Sequence, residues 1–285
     1  MTNKTSLFVK LVALILVFVT MCGVALGIAV NMGRNGNIMY EIFEGRGDDE
    51  NEGEVRLSGS NEFTNINHID VSAISYDVSV ETHDKDTVVV EEHIRSYGRH
   101  KENEIYAQGD TLYFKEPKTI AFFRLGGGRI VIKVPKKSEY NYQLKSVSGD
   151  VILDAKSKEA DLETVSGNVK VYKAGRELQG QSVSGTVKVH EPFEDIKAKS
   201  VSGSVRLTAD KNTKEIDANT TSGSVRIALR GEIGYEMEYS SVSSTTKDEY
   251  HGIKYGKNGT ARYGDKALKI DASSISGSIR LEDWD

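Results

Sequence analysis

The stretch Ser182–Val189, "SVSGTVKV", recurs through the C-terminal half of the chain. "SVSGDVIL" starts at Ser146, "TVSGNVKV" at Thr164, "SVSGSVRL" at Ser200, "TTSGSVRI" at Thr220 and "SISGSIRL" at Ser274. The repeat glycines are therefore Gly149, Gly167, Gly185, Gly203, Gly223 and Gly277, the first four of them 18 residues apart. Ser244 stands where a further glycine would fall between the last two. A unit of fixed length that tolerates insertions is the signature of a solenoid, in which each coil packs only on its neighbours.

Strand periodicity runs through each unit. Val183, Gly185, Val187 and Val189 alternate with Ser182, Ser184, Thr186 and Lys188, so one set is expected inside and the other in solvent. A second alternation starts eight residues before each glycine, at Glu177, Asp195 and Glu215, with its apolar set on the opposite parity. The chain must turn a corner between the two, at the Ser/Thr-Val step, where glycine permits unusual backbone angles and close approach.

Stacked units give columns of like residues. Val151, Val169, Val187, Val205, Val225 and Ile279 form one, and Leu153, Val171, Val189, Leu207, Ile227 and Leu281 a second. Ala160, Leu178, Ile196, Ile216, Met237 and Ile270 form a third, beside Leu162, Gly180, Ala198, Ala218, Tyr239 and Ala272. Such columns predict an all-β fold, a parallel β-solenoid (β-helix) of about 18-residue coils. "HIDVSAISYDVSV" (His68–Val80) keeps the same register, with Tyr76 in the glycine position. The strand-rich sequence from Val80 to Tyr142 reads as hairpin elaborations that cap the N-terminal end, and Thr245–Asp265 as a cap at the other.

Ahead of the repeats, Lys4 and Lys10 precede an uncharged run from Leu11 to Val30. Twenty helical residues span roughly 30 Å, the thickness of a bilayer core. The expected organisation is a cytoplasmic N-terminus (1–10), a transmembrane signal-anchor helix (11–32), an acidic flexible spacer (33–54) and the β-solenoid domain (55–285), with the repeats clearest over 142–285. A cleaved signal peptide is the rival reading of the apolar run. The two lysines place the N-terminus inside, so a cell-membrane location is expected, single-pass, with the C-terminal domain extracytoplasmic. The only cysteine, Cys22, lies in that run, so no intramolecular disulfide forms. A net charge of -5 argues against nucleic acid as a partner.

The serial Ser/Thr-x-Ser-Gly-x-Val/Ile units resemble the bacterial "putative adhesin" β-strand-repeat family, which includes LiaG-like and YvlB-like envelope proteins. "DTLYFKEP" (Asp110–Pro117) and "RIVIKVPKKSEY" (Arg129–Tyr140), which lead into the first unit, carry the same resemblance. It covers roughly residues 55–285. It implies a membrane-tethered β-solenoid facing the bacterial envelope, and it assigns no catalytic residues.

No catalytic, cofactor-binding or metal site is expected. The six Ser-Gly motifs lack the strand-to-helix turn of a nucleophile elbow. His68, His83, His93, His100, His190 and His251 have no zinc-like spacing and are expected at the surface. Gly126-Gly127-Gly128 lacks the Lys-Ser/Thr of a phosphate-binding loop and reads as a hairpin tip. Two outward columns remain. Lys170, Lys188, Arg206, Arg226 and Arg280 form a basic one, and Glu159, Glu177, Asp195, Glu215 and Glu236 an acidic one. Like charges one coil apart repel, so the basic column suggests a polyanion or self-association face. The function expected is non-catalytic, an adhesin-like binding or scaffolding protein of the envelope, with cell-wall polymer or envelope membrane proteins as partners. The alternatives are an accessory of an envelope-stress signalling system and a polysaccharide-active β-helix enzyme.

Overall fold

The computed structural model describes residues 55–95, 103–116 and 128–284, all within a unit spanning Gly53–Asp285. The expected transmembrane helix and spacer lie outside the described residues. The described chain is all-β, with two sheets rich in parallel strands.

The N-terminal strands are β1 (Val55–Phe63), β2 (His68–Ser72), β3 (Tyr76–His83), β4 (Val88–Arg95), β5 (Glu104–Gln108), β6 (Thr111–Lys115) and β7 (Gly128–Pro135). The repeats supply β8 (Tyr140–Ser146), β9 (Val151–Leu153), β10 (Ser157–Thr164), β11 (Val169–Val171), β12 (Gly175–Ser182) and β13 (Val187–Val189). They continue with β14 (Phe193–Ser200), β15 (Val205–Ala209), β16 (Glu215–Thr220) and β17 (Val225–Leu229). The C-terminal strands are β18 (Tyr235–Ser241), β19 (Lys247–Asp248), β20 (Ile253–Lys254), β21 (Asn258–Tyr263), β22 (Leu268–Ser274) and β23 (Ile279–Asp283).

Through the repeats, successive strands alternate between the sheets, so each even strand and its successor make one rung. The rungs stack in parallel: Val169 pairs with Val151 and Val187, and Leu178 with Ala160 and Ile196. The apolar columns read from the sequence face one another between the sheets, and nearly all their members are buried. β-Branched residues suit this pleated, crowded interior.

Stacking order departs from chain order at both ends. β22 inserts between β16 and β18, and β23 between β17 and β19. The third column therefore runs Ile216, Ile270, Met237, rather than in sequence order. At the other end β2 lies between β6 and β8, and β3 between β7 and β9. Antiparallel strands then close both ends: β1 on β4, β4 on β7 and β5 on β6 at one, β20 on β19 and β21 on β18 at the other. These pairings cover sheet edges that would otherwise offer unpaired backbone groups. Of the three glycines read as a hairpin tip, Gly126 and Gly127 lie outside the described residues, and Gly128 is a strand residue. It opens β7 opposite Tyr76, whose ring occupies the space a Gly128 side chain would need.

At the corner the structure corrects two expectations. Ser182 is buried and Val183 is partly exposed: the turn falls at the Ser-Val step as expected, but Ser182 keeps the inward parity of Leu178 and Gly180 on β12. The hydroxyl of Ser182 donates to the Gly167 carbonyl of the preceding rung at 2.8 Å and accepts the N–H of Gly185 at 2.8 Å. Ser146, Thr164, Ser200, Thr220, Ser274 and Ser241 make the same pair of bonds, Ser146 to the Tyr76 carbonyl and Ser241 to the N–H of Ser244. The repeat glycines, meanwhile, do not take positive φ. A Cβ on Gly185 would lie 1.8 Å from the Gly167 carbonyl oxygen, and one on Gly277 1.8 Å from that of Gly223. Close approach of neighbouring rungs alone demands glycine.

Candidate functional site

The outer face of the sheet holding β9 to β23 carries the basic column. Lys170 pairs with Lys188, Lys188 with Arg206, Arg206 with Arg226 and Arg226 with Arg280. The structure adds Lys247, paired with Arg280 on the next rung. Sequence reasoning missed it because β19 stacks beyond β23, although it precedes β23 in the chain. Six cations thus stand in register, on strands that step by about 4.8 Å.

Among the described residues, ion pairs neutralise the ladder at Lys170 and Arg280. Lys170 binds Asp150 at 2.8 Å, which raises the lysine's pKa and lowers the aspartate's against the cost of burial. Arg280 lies 3.3 Å from Glu249. Lys188, Arg206 and Arg226 have no carboxylate within ion-pairing distance among the described residues. They sit on three consecutive rungs, with the repulsion between them unrelieved.

Beside these three lies a recess of about 370 Å³, lined by Lys188, Arg206, Arg226, His190 and Trp284 among others. The His190 ring stacks on Tyr172, with centroids 4.6 Å apart. Burial, then the neighbouring Lys188 ammonium, holds His190 below the ordinary imidazole range. Trp284 follows β23 and packs on the guanidinium of Arg230 at 3.9 Å from its ring centre. Arg230 is gripped in turn by both carboxylate oxygens of Glu191, at 3.0 and 3.2 Å. Glu191, Arg230 and Trp284 follow β13, β17 and β23, so only the stacking of rungs brings them together. A Trp three residues past the last repeat valine-type position carries no periodic signal, and the sequence reading passed over it.

The opposite sheet carries an open acidic trough of about 870 Å³, lined by Glu159, Glu177, Asp195 and Glu215 with Asp161 and Asp217. These four column members are register partners, but Lys269 stands between Glu215 and Glu236. The acidic column is thus shorter than the sequence reading made it, and Glu236 is bound by Arg262 at 2.6 Å. The four carboxylates occupy equivalent places on successive rungs.

Among the histidines, His251 departs from the expected surface position. Its Nδ1 lies 2.7 Å from Oδ2 of the fully buried Asp248, and its ring stacks on Tyr263. Asp248 continues the column of Leu281 and Ile227, so a carboxylate ends an otherwise apolar stack. Tyr235 and His251 both bond it, and burial pushes the Tyr235 phenol up. No group of three or more His, Cys, Asp or Glu side chains is arranged to hold a metal ion among the described residues.

Parallel rungs with a buried hydroxyl at each corner and glycines touching carbonyls define a class of repetitive all-β protein. Residues 66–192 and 181–282 match the Toastrack DUF4097 family, and the chain belongs to it. Among solved structures it is similar to a "putative cell adhesion protein" from Clostridium sporogenes, with 9% identity and a TM-score of 0.38 over 80% of this chain and 100% of that one. It is also similar to a "putative adhesin" from Bacteroides fragilis (14%, TM-score 0.35, 79% and 97%). A third is a "putative lipid binding protein" from Parabacteroides distasonis (15%, TM-score 0.31, 80% and 98%). No curated protein matches the chain.

Proposed function

We propose that the chain is a non-catalytic, membrane-anchored binding protein of the bacterial envelope, exported beyond residue 32, whose cationic ladder holds a linear polyanion such as a wall teichoic acid. One observation carries this reading. Lys188, Arg206 and Arg226 repel one another in register with no carboxylate partner among the described residues, whereas Lys170 and Arg280 are each paired. A polymer with regularly spaced anions would neutralise all three at once, and its binding would weaken with salt.

The test is co-sedimentation of the full-length chain with purified wall polymer at low and high salt. Reversing all three, Lys188→Glu, Arg206→Glu and Arg226→Glu, is expected to weaken binding by on the order of tenfold or more, from fractions of a kcal/mol up to one at each exposed site. Unchanged binding by the triple variant sinks the proposal.

The acidic trough on the other sheet favours a second reading, in which the ladder of one copy docks on the trough of another. In that case the wild type would self-associate at low salt without polymer, and the triple variant would be monomeric in sedimentation velocity.

A further inference from the structure

We infer that the recess at Trp284 is a sugar subsite, and that the polyanion held by the ladder is an anionic glycopolymer whose rings stack there. This rests on the polyanion reading above and narrows it to polymers that carry a ring.

Trp284 is 44% exposed in a molecule whose other large side chains are mostly buried. It is nonetheless held from one side. Arg230 packs on its ring, and Glu191 clamps Arg230 with two hydrogen bonds. One contact, from a guanidinium itself tied to Glu191, therefore orients the indole. An exposed indole oriented from one side, with its remaining surface in solvent, is partly preorganised for a ligand.

The recess it lines has the chemistry of an acidic sugar site. At about 370 Å³ this open depression offers room for a pyranose ring lying along the face. On one side are Lys188, Arg206 and Arg226, which suit a carboxylate or phosphodiester and outnumber the two carboxylates of the lining, Glu282 and the Arg230-bound Glu191. On another are the indole and the His190 imidazole, which suit the apolar C–H face of a ring. Polyphosphate satisfies the cations and leaves the indole without a partner. A polymer that alternates ring and charge satisfies both.

The probes are polygalacturonate, polyphosphate of matched charge number and single-stranded DNA, each titrated against the full-length chain at fixed salt. Trp284→Ala is expected to weaken polygalacturonate binding about three- to tenfold, the worth of one aromatic contact, and to leave polyphosphate binding unchanged. Trp284→Tyr should recover part of the loss. Arg206→Glu should weaken both polymers. Trp284→Leu keeps the apolar bulk without the aromatic face, and it replaces Trp284→Ala if that variant melts early. The subsite is overturned if the tryptophan variants bind polygalacturonate like wild type, lose both polymers equally, or if single-stranded DNA binds tighter than either. Wild type that binds none of the three overturns the ladder reading itself, and the subsite with it.

Discussion

Each corner of the repeat is built from two residues that do opposite things. Gly185 removes a side chain so that its rung can touch the carbonyl of Gly167, and Ser182 supplies a hydroxyl that ties the same carbonyl down. Gly185→Ala would drive a methyl group into that backbone oxygen, and neither partner is a side chain that can swing away. The expected cost is about 3 kcal/mol or more, beyond ordinary overpacking. Gly59→Ala, where nothing lies within 4 Å of the new methyl, should stay within about 0.5 kcal/mol. Chemical denaturation of the two variants checks the contrast. Ser182→Ala leaves the Gly167 carbonyl and the Gly185 N–H buried and unpartnered, at about 1–3 kcal/mol. Ser182→Thr should be close to neutral, since Thr164 and Thr220 make the same bonds in their own rungs. Equal losses for Ala and Thr would mean that shape, not the hydroxyl, is what the corner requires.

At the scale of strands, both terminal rungs are held one place in from the end. β22 and β23 are the last strands of the chain, yet each has a parallel neighbour on either side. Local stability follows burial and backbone pairing rather than position in the sequence. Amides of Ile270, Ala272, Ile279 and Leu281 are therefore expected to exchange as slowly as those of Ile196 and Val205. The short β19–β20 pair should exchange fastest among the C-terminal strands. Exchange that accelerates steadily toward Asp283 would contradict the inserted order. Tyr76 marks the corresponding place at the other end. It heads the glycine column because β7, its outer neighbour, brings Gly128 opposite its ring.

The unit spanning Gly53–Asp285 presents, among its described residues, a cationic face on one sheet and an acidic trough on the other. His190 sits at the edge of the cationic recess with Lys188 and Glu191 beside it and Tyr172 against its ring. Its pKa is lowered on folding. The native state thus takes up this proton at lower pH than the unfolded chain, and the stability involved is present above the ordinary imidazole range and lost as pH falls through it. A bound polyanion favours the protonated ring, so affinity should rise as pH falls below the ordinary imidazole range. A phosphodiester polymer keeps its own charge constant in that range and serves as the probe. His190→Gln should flatten the rise. A pH profile identical to wild type would remove His190 from the binding face.

The sequence by itself determined the rung. Residues two apart alternate between core and solvent, and a motif repeated every 18 residues can satisfy its backbone only by pairing in register with its copies, so the columns of Val187 and Leu178 and the ladder from Lys170 to Arg226 were legible in one dimension. The burial of Ser182 was not, because the motif's own alternation reads across the corner and hides that Ser182 belongs to the parity of the strand before it. Only the tertiary structure decided the order of the rungs at the two ends. The strands of every rung carry the same pattern, so the pattern cannot say which copy stacks on which. That order is what adds Lys247 to the ladder, puts Lys269 into the acidic column, and brings Glu191, Arg230 and Trp284 from three distant segments to one recess.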